Sequence, residues 1–435
     1  MSNKTAPKTM KQDAKRELKP KLRFPEFQGE PEWKAEKLGS VASLITERAG
    51  NKKCIPMSIT SGVGLVSQQE KFGRIIAGNQ YKNYLVLQKN DFAYNKSATK
   101  EFPQGFIAKY SGDEPAAVPN SIFTCFRARE DGIVPDFLNY LFLGNLHGKW
   151  LKKYIEVSAR AHGSLSIDDE DLMSLPIPLP SGESSRAEQK QIAECLTSLD
   201  EMIAAHSQKL DALTAHKKGL MQQLFPPAGE TLPSHRFPEF QNNPEWVNKP
   251  LSELGEIVTG KTPSTKEAGL WGGDILFITP TDISEDGKYQ HNTQRKVVET
   301  KSTKVLPVGS VVYTCIASIG KMAITVRASI TNQQINAVVA NASVANEFVY
   351  YSLANMTPWI KSIPASSTLA IINKTEFSKI CVTIPEDRAE QQAVVDCFSS
   401  LDELIAAYTQ KLDALKTHKK GLMQQLFPSP EEIEA

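Results

Sequence analysis

A long segment of this chain occurs twice, and its two copies constrain the fold more than any other feature. The 41 residues from Arg186 to Pro226 align without gaps with those from Arg388 to Pro428, and 29 of the 41 positions are identical. A shorter motif, RFPEF followed by Pro-Glu-Trp, begins at Arg23 and again at Arg236. The 435-residue chain is therefore a tandem repeat with matching ends and divergent middles.

Both copies of the long segment have the spacing of a coiled-coil helix. Apolar residues alternate at intervals of four and three positions, which is the heptad pattern, and Pro226 and Pro428 end the two stretches. The seam positions that we expect to be buried, and to take part in subunit docking, are Leu199, Ile203, Leu210, Leu213, Leu220, Leu224, Leu401, Ile405, Leu412, Leu415, Leu422 and Leu426.

Two similar helices with one apolar stripe each most simply bury those stripes on each other, which predicts a pseudo-two-fold axis. An antiparallel pair would place the preceding domains at opposite ends, and a parallel pair would place both at one end. Lys217 and Lys419 occupy matching seam positions, as do His206 and Tyr408. We interpret these four polar positions as interruptions that fix the register of the helices.

The divergent middles, called heads below, mix short β-branched runs with turn residues and occasional helical stretches, so an α/β or α+β fold is predicted for each. The predicted boundaries are a disordered basic tail (1–22), a first head (23–180), a first spacer helix (181–226), a linker (227–235), a second head (236–385), a second spacer helix (386–428) and a tail (429–435).

Composition predicts a globular, cytoplasmic chain. No apolar run approaches the roughly 20 residues that cross a bilayer, and no membrane association is expected. Six scattered cysteines include no CxxC pair, so we expect neither a zinc site nor disulfides. The net charge of +1 lacks the strongly basic balance typical of nucleic-acid binding, so a DNA surface would need local clusters of cations.

The sequence contains no motif that is specific for a catalytic site. Residues Gly255 to Thr262 match the phosphate-loop pattern, but Ile257 and Val258 stand where that loop needs small residues, and Pro263 follows at once. A methyltransferase would need a Gly-rich cofactor loop and an Asn/Asp-Pro-Pro-Tyr/Phe run, and neither occurs. The sequence therefore predicts a non-catalytic chain that holds no cofactor and no metal.

DNA reading calls for cations that contact phosphates and for amide or guanidinium groups that contact base edges. Polar loops of both heads carry such residues, although each of them alone is more often ordinary surface. The candidates are Asn95, Lys96, Ser97, Lys100, Arg160, His162 and Ser164 in the first head and Arg295, Lys296, Lys301, Lys304, Lys321, Gln333 and Gln334 in the second.

The repeated RFPEF motif with its following Trp, the paired heptad helices and the twin HKKGLMQQLFP endings resemble the DNA-specificity subunits of type I restriction-modification systems. The resemblance implies two target-recognition domains that each read half of a bipartite, non-palindromic DNA site. It also implies that antiparallel helices separate these domains and dock two methyltransferase subunits. S-adenosylmethionine, ATP and Mg²⁺ would then be held by the methyltransferase and restriction-translocase partners.

Two alternatives stay open. A coiled-coil adaptor could bind proteins through divergent heads without touching DNA, and the near-zero net charge is compatible with this alternative. An ATPase that uses Gly255 to Thr262 is the enzymatic rival, and it would require Lys261→Ala to abolish nucleotide binding.

Overall fold

The computed structural model describes residues 18–60, 62–152, 155–157, 165–284, 287–300, 303–362 and 371–429. The chain divides into two compact units, Met1–His206 with Lys411–Ala435, and Ser207–Gln410. Each unit therefore contains one head, the beginning of the long helix that follows this head, and the end of the other long helix.

The first head and the helix after it contain twelve strands and six α-helices in the described part of the chain. In order they are β1 (Lys34–Lys37), α1 (Leu38–Val41), β2 (Ala42–Leu44), β3 (Ile55–Thr60), β4 (Gly64–Ser67), α2 (Gln68–Phe72), β5 (Leu85–Leu87), β6 (Phe92–Asn95), β7 (Phe106–Lys109), β8 (Ala116–Val118), β9 (Phe123–Ala128), α3 (Pro135–Leu143), α4 (Leu146–Leu151), β10 (Glu156–Val157), β11 (Leu165–Ser166), α5 (Asp169–Met173), β12 (Pro176–Leu179) and α6 (Ser185–Leu224).

Two four-stranded sheets form the first head, with the strand orders β2-β9-β6-β7 and β4-β3-β8-β5. Every residue of the apolar strands β5, β6 and β8 is buried, as expected for short runs covered on both faces. The strands β1 and β12 pair antiparallel, with Lys34 opposite Leu179, and so bring the two ends of the head together at the start of α6.

The second head repeats this plan with its own elements. They are β13 (Val247–Pro250), α7 (Leu251–Leu254), β14 (Gly255–Thr259), β15 (Trp271–Ile278), β16 (Tyr289–Gln290), β17 (Arg295–Val297), β18 (Val311–Thr314), β19 (Met322–Thr325), β20 (Ser329–Thr331), β21 (Ile335–Ala340), α8 (Asn346–Ser362), α9 (Lys374–Ser378), β22 (Cys381–Ile384) and α10 (Arg388–Leu426).

The two heads share a topology despite their divergent sequences. The order β14-β21-β18-β19-β16 in the second head reproduces β2-β9-β6-β7 and adds one strand, and the β13-β22 ribbon corresponds to β1-β12. In the smaller sheets, β15 pairs antiparallel with β17 and parallel with β20, as β3 does with β4 and β8. The phosphate-loop pattern at Gly255 lies mostly within the paired strand β14, so it does not form a phosphate-binding loop.

A buried network within each unit connects the repeated motifs. In the first unit, Glu188 accepts hydrogen bonds from Arg23 Nε at 2.8 Å and from Trp33 Nε1 at 3.1 Å. In the second unit, Glu390 accepts the equivalent bonds from Arg236 at 2.6 Å and from Trp246 at 2.8 Å. The RFPEF and Pro-Glu-Trp motifs are therefore repeated because they attach each head to the start of its helix.

The long helices run antiparallel, and this is visible within a single unit. Trp33 contacts Glu188 at the start of α6 and also Phe427 at the end of α10, with the two rings 6.5 Å apart. Farther along α6, Asp200 pairs with Lys419, which precedes Phe427 on α10. The second unit repeats this arrangement with Trp246, Phe225 and Glu390. The mixed α and β heads and the antiparallel helices confirm the predicted fold class.

The N-terminal segment of the first unit occupies the same place as the linker of the second unit. The backbone N–H of Leu22 donates to Gln425 at 2.9 Å, and that of His235 donates to the equivalent Gln223 at 2.9 Å. Leu18 pairs with Trp33 and is 2% exposed. Residues 18–22, assigned from the sequence to a disordered tail, thus pack against the first head as the linker packs against the second.

Candidate nucleic-acid interface

The last residue of β6 and the loop that follows it include four of the candidate residues in the first head. Asn95 is 7% exposed, and its side-chain oxygen accepts a hydrogen bond from the Ser97 N–H at 3.1 Å, so this amide shapes the loop. Gly105 closes the loop with φ +83°, and a Cβ there would lie 2.5 Å from the Asn95 carbonyl oxygen. Glycine is thus required for the tight return into β7.

The cations of this loop differ in their surroundings. The ammonium group of Lys96 lies 3.6 Å from the Asp169 carboxylate, which also accepts a hydrogen bond from Thr124 at 2.7 Å. Lys100 is exposed at the tip of the loop. The Leu165 N–H donates to the Lys96 carbonyl at 2.7 Å and connects the loop to the segment before α5. The remaining first-head candidates, Arg160, His162 and Ser164, lie outside the described residues.

In the second head, three candidates lie at one end of the five-stranded sheet. Gln333 is exposed, and its side-chain oxygen accepts a hydrogen bond from Thr262 at 2.8 Å. The Gln334 side chain accepts from the Asn332 amide at 2.9 Å, so both glutamines are already held by neighbours. The Lys321 backbone N–H donates to the Thr314 hydroxyl at 2.9 Å and ties the β18–β19 turn together.

Three of the other second-head candidates lie on or beside the three-stranded sheet. Arg295 and Lys296 are exposed on β17, and the Arg295 guanidinium lies 3.5 Å from the centre of the Trp271 ring. The exposed Lys304 forms an ion pair with Glu256 of β14. Lys301 lies outside the described residues. The structure therefore places three of the described second-head candidates at a sheet end, two on the edge strand β17, and Lys304 next to β14.

All twelve predicted seam residues are buried or half-buried, whereas most of their neighbours on α6 and α10 are exposed. Leu426 is buried in the core of the first head, and Leu199 and Leu422 pack against that core. Leu224 is buried in the core of the second head. The ends of both helices are therefore inserted into the heads, and the seam contributes to both hydrophobic cores.

The polar seam lysines form matching clusters in the two units. Lys419 contacts both carboxylate oxygens of Asp200, at 2.5 and 2.7 Å, and the Tyr140 hydroxyl donates to the same carboxylate at 2.8 Å. In the second unit, Lys217 contacts one carboxylate oxygen of Asp402, and the Tyr351 hydroxyl donates to the other at 2.7 Å. Burial and the adjacent Asp200 carboxylate raise the pKa of Tyr140, so its hydroxyl stays protonated and continues to donate.

Some of these partners were missed by sequence reasoning. Asp200 and Asp402 recur in the repeat, but a heptad pattern does not tell which carboxylate a seam lysine meets. Tyr140 and Tyr351 stand three residues after Phe137 and Phe348, a faint match between the heads that identifies equivalent helices. Trp271 carried no signal, because its contact with Arg295 arises only when β15 and β17 pair.

Within the described residues, no group of three or more potential ligands is arranged to hold a metal ion, and no helix is long and apolar enough to cross a membrane. Burial raises the pKa of the Cys125 thiol and raises that of Cys315 to about 11, so both stay protonated at neutral pH. These two cysteines pack in the cores and are not nucleophiles.

The sequence matches a known protein family. The family model described as type I restriction modification DNA specificity domain matches twice, at residues 30–215 and 243–417. Each match contains one head and most of the helix after it. The chain belongs to this family. The two matches fall on the two repeats, so each repeat corresponds to one specificity domain.

Curated relatives carry the same description. The chain is 30% identical over 190 residues to the type I restriction enzyme MjaIX specificity subunit of Methanocaldococcus jannaschii, an alignment that covers 42% of this chain and 44% of the relative. It is 34% identical over 146 residues to the HindI specificity subunit of Haemophilus influenzae, covering 32% of each chain. These two alignments thus span less than half of the relatives' length. A third specificity subunit, the putative MjaX of M. jannaschii, is 26% identical over 330 residues, 74% of each chain.

Solved structures show that this specificity-domain fold is shared along nearly the whole chain. The S subunit of the type I restriction-modification system from M. genitalium superposes with a TM-score of 0.60 at 17% identity, covering 95% of this chain and 100% of that chain. A chain from a study of the assembly and conformational transition of a type I R-M system gives a TM-score of 0.55 at 18% identity, covering 92% and 98%.

Proposed function

We propose that this chain is the DNA-specificity subunit of a type I restriction-modification complex, and that it reads a bipartite, non-palindromic site through its two heads. The observation that carries this proposal is one scaffold built twice, with repeated contacts at the helix ends and different residues on the outer strands. The strand β4 has the sequence Gly-Leu-Val-Ser, whereas its counterpart β17 has Arg-Lys-Val. Two catalytic copies would need the same side chains in the same places.

In this proposal each head enters the major groove of one half-site, and the paired helices set the distance between the half-sites. An unspecified spacer of about one helical turn, roughly 10 base pairs, would separate them. The exposed candidates Lys100, Arg295 and Lys296 would contact DNA directly. Asn95 and Gln334, whose amides are held by neighbouring groups, would instead maintain the loops that carry the contacts.

The chemistry in this proposal resides in partner subunits. Two methyltransferase subunits would carry S-adenosylmethionine and methylate adenine, and restriction-translocase subunits would use ATP and Mg²⁺. The exposed faces of α6 and α10 are the surfaces we assign to methyltransferase docking. This chain would then contribute base recognition and geometry, which accounts for a sequence without a catalytic motif.

Methylation mapping in cells that express this chain together with its methyltransferase tests the function. We expect methylated adenines within one bipartite motif, with two unlike half-sites, and no such motif when this chain is omitted. Methylation that is independent of this chain, or a motif with identical half-sites, would contradict the proposal.

A second candidate is the coiled-coil adaptor that binds only proteins, with which the net charge of +1 is compatible. Salt dependence separates the two functions, because every phosphate contact releases a counterion and steepens the fall of affinity with salt. We expect the complex of this chain with its methyltransferase to bind duplex DNA, with affinity that decreases steeply between low and physiological salt. Absence of duplex binding at low salt would favour the adaptor.

A further inference from the structure

Arg295 has an arrangement that sets it apart from the other cations of the second head. Its side chain is exposed on β17, and its guanidinium carbon lies 3.5 Å from the centre of the Trp271 ring, which is stacking distance. Among the residues that the structure describes, the guanidinium has no hydrogen-bond or ion-pair partner. One face of the group is therefore held by the ring, while its five N–H donors remain unused.

The ring beneath Arg295 is itself fixed. Trp271 Nε1 donates a hydrogen bond to the Ser264 carbonyl oxygen at 3.0 Å, and the ring meets Phe277 edge-on with 5.3 Å between centroids. Phe277 is 3% exposed and belongs to the apolar cluster beneath the sheet. The stacked arginine thus lies on a platform that is anchored by both a polar and an apolar contact.

A β-bulge places Trp271 beside β17. Both Trp271 and Ile275 are opposite Val297, so the residues between them form an extra loop in β15. Gly272 has φ +84°, and a Cβ on Gly273 would lie 2.4 Å from the Val297 carbonyl oxygen, so two glycines are needed here. Bulges of this kind redirect side chains at the edges of sheets. The glycine pair therefore serves to bring the tryptophan ring under the arginine.

Among the described residues of the first head, no counterpart of this stack is present. The corresponding strand of the first head, β4, has the residues Gly64 to Ser67 and no cation. Contacts of the shared scaffold recur in both units, as do those of Glu188 and Glu390. A contact found in one head alone belongs instead to what distinguishes the two heads, which under the proposed function is the DNA sequence that each one reads.

We propose that Arg295 reads one guanine in the half-site of the second head, and that Trp271 is its positioning residue. A planar guanidinium presents parallel N–H donors that match O6 and N7 on the major-groove edge of guanine, and these two acceptors together occur on no other base. Stacking fixes the plane of the group before binding, so less side-chain entropy is lost when both hydrogen bonds form. The inference rests on the proposed function.

The test compares variants of the full chain in complex with its methyltransferase, by methylation mapping and by competition binding with duplexes changed at single base pairs. For Arg295→Met, which keeps an apolar stem over the ring, we expect discrimination to fall about 10- to 100-fold at one guanine. The other positions and the other half-site keep their specificity. Trp271→Leu should weaken discrimination at the same guanine, with a smaller effect, and Trp271→Phe should largely preserve it.

Arg327 provides a matched control, since it is an exposed arginine of the same head that has no ring contact in the described structure. Arg327→Met should leave discrimination at that guanine unchanged. Equal loss of affinity for all duplexes with Arg295→Met, together with a shallower salt dependence, would identify a phosphate contact and overturn the guanine assignment. If the Arg295→Met complex methylates an unchanged motif and has a lower melting temperature, Arg295 only covers the apolar cluster. That result would also overturn the guanine assignment.

Failure of the proposed function has a different signature. In that case the wild-type complex itself yields no bipartite motif and does not discriminate between duplexes. If the wild-type complex discriminates and the Arg295→Met complex retains every specified base, the proposed function stands and the inference about Arg295 is rejected.

Discussion

Glu188 is a charged side chain with 1% of its surface exposed, and it accepts hydrogen bonds from Arg23 and Trp33. A carboxylate in this position is tolerated because the donors replace the water it has lost. Arg23 also donates to the carbonyl oxygens of Glu30 and Pro31, at 2.9 and 3.2 Å. The pair therefore fixes the start of α6 against the loop that begins the first head.

Replacement of Glu188 by glutamine should destabilise the first unit. The substitution leaves the Arg23 cation, whose side chain is 11% exposed, without its counter-ion, and loss of one partner from a buried pair costs on the order of 3 kcal/mol. Chemical denaturation measures this change. Glu194→Gln, on the same helix but with an exposed i,i+4 partner, should change stability by less than about 0.5 kcal/mol. Similar losses for both variants would show that the buried pair contributes little.

His147 should make the stability of the first unit depend on pH. Burial lowers the pKa of this imidazole to about 4, so the unfolded chain, with the ordinary value near 6.5, binds the proton more readily. The contribution is fully present above about pH 6.5 and is lost as pH falls toward 4, by about 3 kcal/mol in total. We expect His147→Gln to remove this part of the slope in pH-dependent unfolding experiments.

The exposed His216 provides the comparison for that experiment. His216→Gln should leave the pH dependence of the unfolding free energy as it is in the wild type. A His147→Gln variant whose slope between pH 4 and 6.5 equals the wild-type slope would contradict the assignment to the buried imidazole.

The sequence could not predict which hydrogen bonds the candidate side chains already form within the protein. Asn95 and Gln334 have the right chemistry for base reading, yet their amides are used within their own loops. Residue type reports which hydrogen bonds a group can make, but the three-dimensional neighbours decide which ones it does make. Arg295 shows the reverse case, because its unused donors and its stacked plane become evident only from the pairing of β15 with β17.

At the level of elements, the two long helices were the most predictable part of the fold. Heptad spacing identifies their buried faces over 40 and 39 residues, because the period itself records which side is apolar. The heptad pattern did not predict whether the two helices run parallel or antiparallel, since an apolar stripe is compatible with both orientations. The Asp200–Lys419 pair and the Trp33 contacts define the antiparallel arrangement.

Under the proposed function, a lengthened pair of helices should change the spacing between the two half-sites. One heptad inserted after Ala205 and after Ala407, at equivalent places, keeps the seam in phase and adds about 10 Å to each helix. At about 3.4 Å per base pair, we expect a spacer longer by about three base pairs. Methylation mapping reads out both the spacer and the half-sites.

The half-sites themselves should stay unchanged in that experiment, because the insertion touches neither head. An altered half-site would contradict the role of the helices as a spacer. Insertion of two residues at the same places is the matched control, since it turns the seam by about 200° to the opposite side of each helix and should destabilise the protein instead of lengthening the spacer.

On the scale of the whole molecule, the first unit is assembled from parts that are far apart in the chain, whereas the second is one continuous segment, Ser207–Gln410. The first unit needs residues from Lys411 onward, including Phe427, whose ring lies 5.3 Å from that of Phe137. Tandem duplication predicted two heads and two helices, and it did not predict that each head is completed by the end of the other helix. In the first unit that information resides in long-range contacts such as Asp200–Lys419, which are separated by 219 residues and which periodicity does not record.

A fragment of residues 1–235 should therefore form a dimer. It lacks the end of α10, but its own residues Lys209 to Phe225 are nearly identical to Lys411 to Phe427 and can complete the head of a second copy. Size-exclusion chromatography with light scattering measures the mass, and Phe225→Ala, at the position equivalent to Phe427, should weaken the dimer. A folded monomer at micromolar concentration would contradict this expectation.

The junction between head and helix is the same in both units. Glu188 and Glu390 hold the arginine and tryptophan of their heads, while Gln189 and Gln391 accept the N–H groups of Val134 and Ala345, at 2.9 and 2.8 Å. Under the proposed function, recombination between genes that share these junction sequences can exchange one head for another. The new head keeps the residues that contact the start of the helix. A lineage can then acquire a different DNA target in one genetic step, without any intermediate that has lost its fold.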